Sequence, residues 1–226
     1  MKIAQIERTV LTEYPNHISS IIYTRGCNMN CKHCFNPELQ ALRPFKNIYF
    51  KNVSQYFSNY IDAITISGGE PLIQRDIVQF IKRLKKLGYL VKLNTNGSVP
   101  NKLEYLLQNN LVDYVSMSIK GDYISYDYLT NTRKSFYLFD KSISSIITYA
   151  KMYDFNMVIY YDQQLQRYNL LEEDIEWIGQ NMLYKAKNIH IVQYFGNKFT
   201  IAEDSVLNRY KTILSKYCEN VSIRNN

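Results

Sequence analysis

Six short runs rich in β-branched and aromatic residues recur along the 226-residue chain, and helical patterns separate them. They lie at Ile18 to Thr24, Ala63 to Ser67, Leu90 to Asn94, Tyr114 to Ile119, Met157 to Tyr161 and Ile189 to Tyr194. Strands separated by helices cannot pair as tight hairpins. They need crossovers, so this order predicts a parallel sheet covered by helices, either an open barrel or a doubly wound sheet. The clearest helix puts Ile73, Ile77, Phe80, Ile81, Leu84 and Leu87 on one face, with Gly88 as its stop. Others are expected near residues 50–60, 101–110, 142–153, 171–183 and 203–218.

The loops after the strands separate the two architectures. A cysteine-rich loop follows the first strand, Gly68-Gly69-Glu70-Pro71 the second, Asn94-Thr95-Asn96-Gly97 the third, and Ser118-Ile119-Lys120-Gly121-Asp122 the fourth. In a parallel barrel these C-terminal strand ends converge on one face, where ligands bind. The expectation is an α/β fold, a partial (β/α)6 TIM-like barrel with parallel strands and outer helices, as a single domain over residues 1–226.

The cysteine loop, Cys27-x3-Cys31-x2-Cys34, spaces three thiols so that they can wrap an iron-sulfur cube from one side and leave its fourth iron open. Structural zinc takes four ligands, and the nearby fourth candidates are His33 and His17, which do not form the paired Cys-x2-Cys blocks of a zinc ribbon. With only four cysteines and no signal-peptide pattern, a reduced cytoplasmic setting is expected. Cys218, one helical turn from Leu214, reads as a partly buried thiol.

The other segments each admit two readings. Gly68 and Gly69 leave the backbone bare for a ligand, and Glu70 is placed to accept from an ammonium or from backbone donors. All three equally suit a strand-to-helix turn. Asn94 and Asn96 both donate and accept, although Asn96-Gly97 is also a common turn pair. Lys120 suits a carboxylate or a solvated strand end. Gln193 and Tyr194 end the sixth strand, so position alone puts them beside a ligand in the same cavity. The aromatic segment Tyr123 to Asp140 reads as packing or as a cover over the cavity.

Charge narrows the partners. Residues 1–120 hold 15 Lys/Arg against 8 Asp/Glu, whereas residues 121–226 hold 12 of each, so the excess lies with the cysteines. A basic surround favours reduction of an anionic cluster and attracts an acidic electron donor such as a flavodoxin or ferredoxin. Lys82, Arg83, Lys85 and Lys86 form a solvated helix face. The basic residues are not interleaved with stacking aromatics, which argues against nucleic acid. No apolar run approaches the ~20 residues of a membrane span, so no membrane partner is expected.

Cys27-x3-Cys31-x2-Cys34 followed by Gly68-Gly69-Glu70-Pro71 resembles the radical S-adenosylmethionine (SAM) superfamily. The stretches Leu11 to Pro15, Ile22 to Cys27 and Cys34 to Leu39 resemble the activating proteins of anaerobic ribonucleotide reductases and, more distantly, pyruvate formate-lyase activating enzymes. The likeness continues through Val91 to Gly97 and Leu111 to Val115. It implies that Cys27, Cys31 and Cys34 hold a 4Fe-4S cluster, that the open iron chelates SAM, and that one electron cleaves SAM to a 5′-deoxyadenosyl radical. It also implies that Gly68 to Pro71 hold the SAM amino group. Asn94, Asn96, Ser118 and Lys120 then lie along the ribose and carboxylate side, and His33 packs by the cluster and adenine. No side chain need act as a general base. The radical's target would be a glycine of a glycyl-radical enzyme, an anaerobic ribonucleotide reductase. The alternatives are a radical SAM enzyme acting on a peptide or small molecule, such as a 7-carboxy-7-deazaguanine synthase-like protein, and a non-enzymatic Fe-S or zinc protein.

Two positions depart from the family pattern. Asn94 replaces an aspartate before Thr-Asn-Gly, and Ser118 replaces the aspartate of Met-Asp-Ile-Lys. In related activating enzymes such acidic residues help to hold a monovalent cation beside SAM.

Overall fold

The computed structural model describes residues 1–40, 57, 60–132, 136–196 and 198–224. Two strands open the chain, β1 (Ile3–Tyr14) and β2 (His17–Thr24), joined by a turn in which Asn16 takes a φ of 63°. There follow α1 (Pro37–Gln40), β3 (Ala63–Gly68), α2 (Ile77–Lys86), β4 (Leu90–Thr95), α3 (Pro100–Gln108) and β5 (Tyr114–Ile119). Next come α4 (Tyr126–Thr130), α5 (Phe136–Tyr149), β6 (Met152–Ile159), β7 (Tyr161–Asp162), β8 (Arg167–Tyr168) and α6 (Glu172–Asn181). The chain ends with β9 (Asn188–Gln193), β10 (Phe199–Thr200), α7 (Asp204–Leu214) and β11 (Asn220–Arg224).

The main sheet runs β1-β2-β3-β4-β5-β6-β9-β11, and every pairing after the antiparallel β1–β2 hairpin is parallel. Strand order thus rises with chain order from one edge to the other. A doubly wound sheet reverses direction at a switch point, and this sheet does not, so it is the wall of an open barrel. A short ribbon, β10-β7-β8, stands apart from it.

Period-two alternation sorts the wall into two faces. Ile64, Ile66, Val91, Leu93, Val115, Met117, Phe155, Met157, Ile189 and Ile191 are all buried and pack with Ile77, Phe80, Leu103, Leu106 and Ile143 of the helices. The alternate residues Thr65, Lys92, Asn94, Ser116, Ser118, Asp154, Asn156 and His190 are polar and face the other side. The C-terminal ends of β2 to β5 carry the four segments singled out from the sequence. Among the described residues no helix is long and apolar enough to cross a membrane.

Several boundaries differ from expectation. The helix expected from Ile73 begins at Ile77, because Pro71–Ile73 forms a separate 3-10 turn, and Leu87 beyond its end is 63% exposed. The strand expected from Met157 begins at Met152, and the helix expected over 142–153 spans Phe136–Tyr149. Asp154 and Asn156 interrupt the apolar run there because they point into the barrel. Strands β1 and β11 were not expected; β1 is antiparallel, and β11 makes seven parallel strands rather than six among the described residues. The helix expected near 50–60 lies almost wholly outside the described residues. In the Tyr123 to Asp140 segment, Tyr126 and Phe139 are buried with ring centroids 4.8 Å apart, which is packing.

Gly88 ends α2 with a φ of +89° and has nothing within 4 Å of an added Cβ. Gly88→Ala is therefore expected to cost only the left-handed backbone penalty, about 1 kcal/mol, lowering Tm by roughly 3 °C in a thermal melt.

Candidate active site

The cysteine loop is fastened from several sides. Gly26 donates to the Leu39 carbonyl at 2.8 Å, Asn30 to Thr130 at 3.1 Å and Lys32 to Leu129 at 3.3 Å, so α4 props the loop from behind. On the opposite side, Gly69 donates to the Thr24 carbonyl and Glu70 to the Gly26 carbonyl, each at 2.9 Å. A Cβ on Gly68 would lie 2.2 Å from the Thr24 oxygen, and one on Gly69 would lie 2.1 Å from the Gly26 oxygen. The glycine pair therefore serves close contact between two strand-end loops. Its backbone also lines the cavity beside the cysteines.

Glu70 is fully buried and is not part of the cavity wall. Its carboxylate accepts from Leu72 N at 3.0 Å, Thr95 Oγ1 at 2.9 Å and Asn96 N at 2.7 Å. Burial raises its pKa, opposed by these three hydrogen bonds. Of its two sequence readings, acceptance from backbone donors is the one seen. Pro71 is likewise buried and outside the cavity lining.

Glu70 in turn sets Asn96. The Asn96 side chain donates to Asn28 Oδ1 at 3.1 Å and faces Cys27 Sγ at 3.7 Å, while its Oδ1 accepts from Ser98 N at 2.9 Å. Asn28 also exchanges hydrogen bonds with Ser98 Oγ, at 2.8 and 3.2 Å. This network ties β4 to the cysteine loop, and Asn28 and Ser98 were not singled out from sequence.

All these walls enclose one half-open cavity of about 350 Å³, a size typical of small-molecule sites. Cys27, Cys31, His33, Cys34, Gly68, Gly69, Asn94, Asn96, Ser118 and Lys120 all line it. Gln193 and Tyr194 do not, although the Tyr194 ring lies 6.3 Å from that of His33. The wall also includes Glu13, Lys92, Ser116, Asn156 and Arg224, which sequence reasoning passed over.

The donor chemistry fits a cluster held from one side. The three cysteines of the loop are partly exposed and not disulfide-bonded, and Cys31 and Cys34 are close enough to Cys27 to oppose its ionisation. Burial, chiefly, pushes the Cys27 thiol up to about 11; bound metal reverses that penalty, since a coordinated thiol deprotonates. Among the described residues no three His, Cys, Asp or Glu side chains converge on a single ion. A cube places one thiolate on each of three irons, so it does not require that convergence.

His33 is 2% exposed, and neither ring nitrogen has a protein partner. Burial, and then Lys120, holds its pKa well below the usual imidazole range. The neutral ring, packed 5.2 Å from Tyr160, offers one donor and one acceptor to a ligand in the cavity. Asn94 Oδ1 is also buried without a partner, while its Nδ2 donates to Ser67 Oγ at 3.3 Å. Cys218 lies far from this wall in sequence and contact, buried and donating to the Leu183 carbonyl at 3.4 Å.

Comparison with known proteins agrees with this geometry. The sequence profile of the radical SAM superfamily matches residues 21–168. A protein of Methanocaldococcus jannaschii, provisionally named a glycyl-radical enzyme activating enzyme, is 30% identical over 94% of this chain and 91% of its own length. Among solved structures, a domain of pyruvate-formate lyase-activating enzyme from Bacteroides vulgatus superposes with a TM-score of 0.56. It is 15% identical and covers 73% of this chain and 98% of its own. QueE from Escherichia coli superposes with a TM-score of 0.57 at 13% identity, over 100% of this chain and 93% of its own. At such identities these two likenesses speak to the fold.

Proposed function

The chain belongs to the radical SAM superfamily, and we propose that it activates a glycyl-radical partner, an anaerobic ribonucleotide reductase, by removing a hydrogen atom from a glycine Cα. The observation that supports the glycyl-radical part of this reading is the likeness, along nine-tenths of both chains, to a protein provisionally named a glycyl-radical enzyme activating enzyme; the reductase as partner rests on the resemblance of the cysteine-loop flanks alone. Superfamily members use a 4Fe-4S cluster and SAM. When bound, these supply one electron and a sulfonium whose cleavage yields methionine and the 5′-deoxyadenosyl radical.

The chain's own part is to bind and orient. Cys27, Cys31 and Cys34 would hold the cluster. The Gly68–Gly69 backbone takes the SAM amino group, and Glu70 and Pro71 act from behind the wall by fixing that backbone and Asn96. Asn94, Asn96, Ser118 and Lys120 flank the ribose and carboxylate, and the neutral His33 packs by the cluster and adenine. An acidic donor such as a flavodoxin or ferredoxin brings the electron to the basic half of the chain. With cluster and SAM bound, the radical they would supply would take one hydrogen atom from the glycine Cα and leave the unpaired electron on the glycine.

The test is electron paramagnetic resonance of the reduced, cluster-loaded protein mixed with SAM and the partner. A glycine-centred doublet is expected, and its persistent absence would remove the assignment. A second expectation concerns potassium. Asn94 and Ser118 leave neutral oxygens where relatives carry carboxylates, which weakens any cation cage by up to two charges. SAM cleavage should change less than about twofold when potassium replaces a bulky organic cation at constant ionic strength; a steep rise would contradict it.

A further inference from the structure

The cavity has a second chemical character away from the cysteines. Its floor is built from side chains that alternate inward along the strands, Lys92 of β4, Ser116 of β5 and Asn156 of β6, with Glu13 of β1 beside them and the exposed Arg224 at the end of β11 on its rim. None of these has a role in holding the cluster or in the SAM contacts assigned above.

The carboxylates around this floor are already engaged. Glu13 is taken by Lys92, whose Nζ lies 2.6 Å from the Glu13 carbonyl oxygen and 3.6 Å from its carboxylate. Asp154, 1% exposed beneath the floor, accepts from Tyr114 Oη at 2.6 Å, Ser116 Oγ at 2.5 Å and Asn156 Nδ2 at 2.8 Å. His190 Nε2 stands 3.8 Å from the same carboxylate. Its other ring nitrogen meets Ser222 Oγ at 2.7 Å. Among the described residues no carboxylate lies within ion-pair distance of Arg224.

Register places this guanidinium relative to the SAM contacts. Arg224 pairs with Val192, Val192 pairs with Val158, and Lys120 follows Ile119, whose partner Met157 precedes Val158. Arg224 and Lys120 therefore stand on one row three strands apart, roughly 14 Å at the usual strand spacing. Two valines separate them. A cavity with one cation at each end of an apolar strip suits two separate anionic groups, and a guanidinium is the side chain that grips a carboxylate with two parallel hydrogen bonds.

We infer that Arg224 binds a carboxylate of the molecule from which hydrogen is removed, an acidic side chain of the peptide segment that carries the target glycine. The inference rests on the glycyl-radical reading for its choice of a peptide, but the anion-binding role of Arg224 is separable from it.

The test is a calorimetric titration of the cluster-loaded, SAM-bound protein with two probes, acetyl-Glu-Gly-Glu-amide and acetyl-Gln-Gly-Gln-amide. The acidic peptide should bind roughly tenfold more tightly, the usual order for a charge-assisted bond. Arg224→Gln should reduce that preference to twofold or less, and Arg224→Lys should keep part of it, with iron content and circular dichroism reporting the fold. Equal binding of the two peptides, no measurable binding of either, or a preference that survives Arg224→Gln would overturn the inference. Dideuterated glycine in the same peptides separates the two readings. A preserved acidic preference with no deuterium in 5′-deoxyadenosine would overturn glycine as the target and leave the carboxylate site standing.

Discussion

Cys31→Ala is expected to abolish SAM cleavage, with 5′-deoxyadenosine production falling by more than about a hundredfold, beyond the 10- to 100-fold cost of losing an outer partner of a metal ligand. In the proposed cluster site each of the three loop thiolates would hold its own iron, and the half-open cavity is lined by no other cysteine. Cys27→Ala and Cys34→Ala should behave alike, and iron analysis should show each variant depleted of cluster. Cys218→Ala is the matched control. Its sulfur is buried among apolar residues and only donates to the Leu183 carbonyl, so the variant should lose about 1 kcal/mol of stability and retain cleavage. Full activity in Cys31→Ala would refute the cluster assignment.

How far this site was legible from sequence depends on the kind of signal each residue carries. The cysteine loop and the segments after β3, β4 and β5 stood out because chemistry-bearing residues sit at breaks in apolar periodicity, and a parallel wall brings such breaks to one end. Glu70 was legible as a loop carboxylate, but its partners on Thr95 and Asn96 come from another strand, and no local pattern states them. The glycine pair was read for access to a ligand. Its tightest contacts are instead with Thr24 and Gly26, a long-range approach invisible in a linear chain.

The floor residues were missed for a different reason. Lys92 and Asn94, Ser116 and Ser118, and Asp154 and Asn156 alternate with buried apolar residues, a period-two pattern that ordinarily marks a solvated sheet face. In an open barrel the same pattern lines the interior. A polar inner face on three successive strands was the available sign. Arg224 had no such sign, since β11 is a five-residue strand whose parallel partner, β9, lies across α7. Strand β1 was overlooked because among the described residues it pairs only with β2, with register shifts along the pairing that break simple alternation.

The same long-range contacts make Gly69→Ala the most informative change outside the cysteines. Gly69 does not hold a left-handed φ, so the cost is not conformational. The new methyl carbon would lie 2.1 Å from the Gly26 oxygen, 2.5 Å from the Gly26 carbonyl carbon and 3.1 Å from Cys27 N, all of them backbone atoms that cannot swing aside as a side chain would. The β3 end and the cysteine loop must separate, and the 2.9 Å bond from Glu70 N to the Gly26 carbonyl is lost with that movement. Overpacking of this kind typically costs up to about 3 kcal/mol, which for a chain of this size lowers Tm by roughly 9 °C. Because the displaced atoms carry Cys27 directly, iron content and the rate of SAM cleavage should fall together, the rate by roughly tenfold or more, as expected when a metal ligand loses its support. Gly88→Ala, which strains φ but meets nothing, should lower Tm slightly and leave iron content unchanged. If Gly69→Ala were to lower Tm while keeping the iron content and cleavage rate of the parent protein, the junction between the two loops would be structural only, and the position of Cys27 would have to be set by α4 and the Asn28–Ser98–Asn96 network instead.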